Sequence, residues 1–194
     1  FQPGIKPVGP VRAFTVFYRA LREAVKAPFW DETEKDARVF TDKQLDKWME
    51  LARARNPGYV ARHEVLLGRL RERQLAVMEG QELRFQHPHL SGADVRLQGG
   101  EYVVFANHFW SWCQPGYDAA FPLWGQWLAR EAGERTPEAI AEITDTWLKI
   151  VGERLSDFVS IEHLRAMLCN RLFGALILDV PAQAMHLAVG GVGT

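Results

Sequence analysis

Helix punctuation constrains this chain more than any other feature. Asn56-Pro57 and Thr136-Pro137-Glu138 each place a capping side chain before a proline that suits the first turn of a helix. Glu138 also sets a negative charge at the positive end of the helix dipole. After the second signal, Ile140, Ile143, Trp147, Ile150, Val151 and Leu155 recur at helical spacing. Similar stripes run through residues 11–26 (Phe14, Phe17, Tyr18, Leu21, Val25) and residues 57–78 (Tyr59, His63, Leu66, Leu67, Leu70, Val77). Thr41 with Gln44 reads as a capping box opening a further helix, with Leu45, Trp48, Met49 and Ala52 inward. Ser160 caps a last helix, and Gly80 and Gly174 stop two of them.

The period changes near residue 82. Residues 82–86, 94–98 and 102–106 alternate as strands do, and Gln98-Gly99-Gly100-Glu101 supplies a hairpin turn. Residues 175–180 read as one more short strand. The fold class expected is mainly α with a small antiparallel β-sheet (α+β), about six helices around a short central hairpin. Residues 1–10 hold three prolines and read as an extended arm, residues 11–181 as one globular domain, and residues 182–194 as a flexible Gly-rich tail.

Composition narrows the classes of function. A 47% apolar fraction with 24% charged residues is that of an ordinary globular chain, and a net charge of −1 supplies no global field toward nucleic acid or anionic lipid. No apolar run approaches the ~18 residues that span a bilayer. Two cysteines, Cys113 and Cys169, stand in no zinc spacing and can make one disulfide at most, which favours an intracellular, reducing compartment. The chain begins at Phe1, as it would after truncation or after removal of a targeting peptide, so an organelle matrix fits as well. No metal site and no cofactor is predicted.

Four of the seven tryptophans lie between residues 110 and 127. Trp110 and Trp112, two apart in extended chain, point to one face; Trp124 and Trp127, three apart in a helix, do likewise. Gln114-Pro115-Gly116 turns between them. Four indoles closing a strand–turn–helix corner suggest a packing or docking surface.

Several residues there carry potential chemistry. Asn107-His108 after a strand resembles the motif of glycerolipid acyltransferases, in which an Asp five residues after the His orients an imidazole that deprotonates the acceptor hydroxyl. Here Cys113 occupies that place and Asp118 is the first acid, so the spacing fails. His108 with Cys113 is an alternative base and nucleophile, with Asp118 as a third polar group. Gln86-His87-Pro88-His89 offers two histidines for a metal but reads more simply as an exposed turn. Residues 47–73 carry seven cations against three acids, with Arg62, Arg69 and Arg73 on one helix face as candidates for nucleic acid or another anion. Residues 129–165 carry eight acids against five cations.

Two classes of function follow. The first is a structural or interaction subunit of a larger protein assembly, docking on other protein subunits through the Trp110, Trp112, Trp124 and Trp127 corner and its extended termini. The second is a small-molecule or lipid-handling enzyme with a pocket lined by residues 105–127. Nucleic-acid binding through residues 53–73 is a weaker third.

Overall fold

In the computed structural model, residues 2–3, 10–28, 35–91, 94–105, 107–129, 134 and 136–175 are described. Six α-helices appear among them: α1 (Pro10–Ala24), α2 (Ala37–Arg55), α3 (Pro57–Met78), α4 (Tyr117–Ala129), α5 (Pro137–Arg154) and α6 (Ile161–Gly174). The strands are β1 (Gln2–Pro3), β2 (Arg84–Gln86), β3 (Val95–Gln98), β4 (Glu101–Val104) and β5 (Ser111–Cys113). The fold is therefore α+β and mainly helical.

Local chemistry explains most boundaries. Asn56 Oδ1 accepts from the Tyr59 amide at 3.1 Å, Thr136 Oγ1 from Ala139 at 3.2 Å, and Ser160 Oγ from His163 at 3.1 Å. Each satisfies an amide that the first turn leaves without a helical partner. The start of α2 differs from the sequence reading. Asp36, not Thr41, is its cap, accepting from Arg38 and Val39. Thr41 lies buried inside the helix, and its hydroxyl donates back to the Ala37 carbonyl at 2.7 Å. Backbone bonds from Ala37 to Gln81 and from Leu83 to Lys35 pin this earlier start against the chain leaving α3.

Strands β3 and β4 form the expected hairpin, with Gln98 opposite Glu101. Gly99 and Gly100 adopt φ of 59° and 87°, which a two-residue turn of this hand requires. Gln2–Pro3 adds to the other edge of β3, so this piece of the proline-rich arm lies on the chain's own sheet. Strand β2 pairs instead with β5, Phe85 opposite Trp112, as a separate two-stranded ribbon. Ala175 continues α6 in right-handed helical geometry (φ −61°, ψ −44°), contrary to the strand expected from that residue onward. Residues 176–180 and the Gly-rich tail lie outside the described residues.

The main core joins α1, α4, α5 and α6 around Phe14, Phe17, Trp147, Leu164 and Met167. Phe14 and Trp147 rings meet at 5.0 Å. A smaller core of Leu45, Met49, Ala52, Val60, Leu67 and Phe173 fills the space between α2, α3 and the end of α6. Fully burying one such side chain contributes roughly 1.5–3 kcal/mol. Linked amides join the two helix groups. Asn170 Nδ2 donates to Gln44 Oε1 and to Gln74 Oε1, each at 3.0 Å, and Gln114 Nε2 donates to Gln44 Oε1 at 2.9 Å. Gln74, Gln114 and Asn170 are buried, and such groups are tolerated inside when they bond one another.

Candidate functional site

The aromatic segment builds a wall. Trp110 and Trp112 flank Phe85 across the β2–β5 ribbon, with ring centroids at 5.4 and 5.8 Å. They share a face, as the two-residue spacing requires. Trp124 and Trp127 meet edge to face at 5.6 Å on α4. The Arg171 guanidinium lies 5.5 Å from the Trp124 ring centroid and 5.0 Å from that of Phe121. Trp124 is only 7% exposed. Trp110, Trp112 and Trp127 are half-buried and pack on the main core.

Gly116 makes the corner tight. Its φ is +84°, and a Cβ there would come within 3.1 Å of His163 and of Val159 on the α6 side. The turn brings Asp118 into the first turn of α4, where the helix dipole favours an acid.

Asp118 is wholly buried. Tyr18 donates its hydroxyl to Asp118 Oδ1 at 2.7 Å, and an Arg22 nitrogen lies 3.6 Å from Oδ2. Arg22 also donates to the Phe85 carbonyl at 2.9 Å, which ties α1 to β2. Burial pushes the Asp118 carboxyl above the usual carboxylate range, and the Arg22 charge and the Tyr18 hydrogen bond only partly oppose it. Tyr18 is pushed well up by burial and by the Asp118 charge, and Cys113 by the same two causes. A raised thiol is a poor nucleophile.

The candidate catalytic residues do not assemble. Cys113 is a buried free thiol on the Asp118 side, whereas His108 is exposed on a 3-10 turn, against Phe109 at 4.1 Å. No hydrogen bond joins His108 to Cys113 or to Asp118, so neither a nucleophile–base pair nor the acid–imidazole pair of the acyltransferase motif is formed. Cys169 is also free and half-buried. Two surface grooves, of about 430 and 500 Å³, are lined by residues around Ser160 and around Val16 respectively, and by none of the aromatic segment.

His87 is the clearest departure from the sequence reading. An exposed turn is expected there, yet His87 is fully buried, edge-on to Phe109 and Trp110. His89 is exposed and stacks on Phe109 at 4.6 Å. Among the described residues, no three His, Cys, Asp or Glu side chains come together as metal ligands.

The basic face of α3 has the opposite character. Arg62, Arg69 and Arg73 are exposed, and none is in a salt bridge with a described residue. Arg71, on another face, is bound to Asp42 and Asp46 at 2.6 Å each. Hydrogen bonding to Arg71 lowers the Asp46 carboxyl. Leu66, expected inside, is 45% exposed, and its neighbour Val65 is 71% exposed. At 100° per residue Leu66 projects close to Arg62 and Arg73, while Val60, Leu67, Gln74 and Met78 turn inward. Two aliphatic side chains thus sit among three guanidiniums. Sequence spacing alone placed the arginines on one face, but not the leucine with them.

The chain matches no family model, no curated protein and no solved structure. Among the described residues no helix is long and apolar enough to cross a membrane.

Proposed function

We propose that the chain is a structural or interaction subunit of a larger protein assembly, and that it docks through the outer face of α3. The observation that carries this reading is the exposed pair Val65 and Leu66 set among Arg62, Arg69 and Arg73. An aliphatic centre with an arginine rim is the make-up of a protein-binding surface, where apolar contact gives affinity and charge gives orientation. The aromatic corner packs on the main core. Trp110, Trp112, Trp124 and Trp127 pack inward or lie half-covered, and the enzyme reading finds Cys113 and Asp118 enclosed and His108 apart from them.

The same three arginines are the feature behind a nucleic-acid reading. Phosphate contact has no use for Val65 and Leu66, and the one ring close to the arginines, Tyr59, is half-buried and packs on His63 at 4.2 Å. A protein partner accounts for both halves of the face.

The test is native assembly of the full chain carrying Leu66→Asp, compared with the wild type by size-exclusion chromatography of cell extract. The variant is expected to leave the high-mass fraction while keeping its melting temperature. Equal assembly of both proteins would contradict the proposal. Salt-sensitive retention of RNA by the wild type, lost on Arg62→Glu with Arg69→Glu, would favour nucleic acid instead.

A further inference from the structure

The outer face of α3 has a counterpart on the same chain. On α5, Glu138, Glu142 and Asp145 are exposed, with exposed Ala141 beside them. Spacings of three and four residues put the acids on one helix face. None of the three is in a salt bridge with a described residue. Helix α6 packs against both α3 and α5, more extensively against α3. Among the described residues each stripe faces outward outside any salt bridge, with Glu72 and Lys149 among the opposite charges on their own helices.

The two stripes also match in spacing. Seven residues separate Arg62 from Arg69, and seven separate Glu138 from Asp145, about 10.5 Å in each case at ~1.5 Å per residue. With the helices antiparallel, Arg62 comes level with Asp145 and Arg69 with Glu138. Val65 then meets Ala141, a residue small enough to let the helices approach, while Leu66 lies on the Glu142 side of the seam and Arg73 extends past the start of α5. The parallel arrangement fails, because it sets Arg73 against Lys149. Resting on the docking function proposed above, we infer that α3 of one copy docks antiparallel on α5 of a second copy. Two different surfaces meet in this contact: made reciprocally it closes a two-fold dimer, and made once per pair it is head-to-tail and generates a ring or an open series.

Sedimentation velocity of the purified full chain tests this over a concentration series at about 10 mM and about 1 M salt, where the screening length falls from roughly 30 Å to roughly 3 Å. The expected result is mass that grows with concentration at low salt and returns to monomer at high salt. Reversing either stripe (Arg62→Glu, Arg69→Glu and Arg73→Glu, or Glu138→Arg, Glu142→Arg and Asp145→Arg) should give a monomer. Mixing the two reversed proteins should restore association, because each then offers the other a complementary face. All six positions are exposed, and far-UV circular dichroism checks that both variants fold. A wild-type monomer at every concentration overturns the inference, as does association indifferent to the reversals or binding to RNA or anionic vesicles without self-association. A monomer whose entry into a native assembly still requires Leu66 overturns self-docking while leaving the docking function intact.

Discussion

Asp118 on α4 and Arg69 on α3 are both charged helix residues, and they end in opposite circumstances. Asp118 is fully enclosed, bonded to Tyr18 and close to Arg22, with its charge costing free energy. Arg69 is exposed and in no salt bridge with a described residue, beside aliphatic side chains that water also reaches. A sequence marks both positions as candidates for chemistry. Burial and partnership separate them: the first residue holds elements of the fold together, and the second is free to meet something else. Removing the first should therefore act on stability, and removing the second on association.

The largest expected effect is on the enclosed side. Asp118→Ala leaves the Tyr18 hydroxyl and the Arg22 charge short of a buried partner and should cost about 3 kcal/mol in urea denaturation. Asp118→Asn keeps an oxygen for Tyr18 and should cost less. The pair also separates by pH. Because the folded carboxyl is raised, the stability that Asp118 contributes is fully present below the ordinary carboxylate value and is lost as pH rises through the raised one. Across that window the wild type should lose stability relative to Asp118→Asn. A difference that stays flat or widens in the other direction would mean that ion pairing, not burial, governs the carboxyl.

Smaller effects follow at the amide junction and the caps. Asn170→Ala strips Gln44 and Gln74 of their shared donor and should destabilise by about 2 kcal/mol. Asn56→Ala removes the cap of α3 and should cost about 1 kcal/mol by thermal melting. At the far end of the scale, Arg69→Glu should change stability by no more than about 0.5 kcal/mol. A large loss of stability there would erase the contrast between the two regions.

The sequence made some of this legible and hid the rest for physical reasons. The caps at Asn56, Thr136 and Ser160 could be read because each is a bond across three residues, complete within a short string. The hairpin turn at Gly99-Gly100 is equally local. Thr41 and Gln44 imitate a capping box five residues into α2, while the actual cap at Asp36 is set by contacts with residues 81–83. His87 next to Pro88 looks like a turn residue, and its burial depends on Phe109 and Trp110, more than twenty residues away. Three-residue strands carry too little alternation to announce that β2 pairs with β5. Leu66 falls in the apolar stripe of Tyr59, His63, Leu67, Leu70 and Val77, but the buried line of α3 runs through Val60, Leu67, Gln74 and Met78, about 100° away, which leaves Leu66 out beside Arg62 and Arg73. The Tyr18–Arg22–Asp118 cluster left one trace, the four-residue spacing of Tyr18 and Arg22 on one helix face.

The contrast between the two regions reduces to one paired measurement, melting temperature and native assembly size recorded together for Leu66→Asp and Asp118→Asn. Leu66→Asp should melt with the wild type and fall out of the assembly, whereas Asp118→Asn should change stability and, while folded, still assemble. Leu66→Asp assembling as the wild type does would contradict the account, because the exposed face of α3 would then have no docking role.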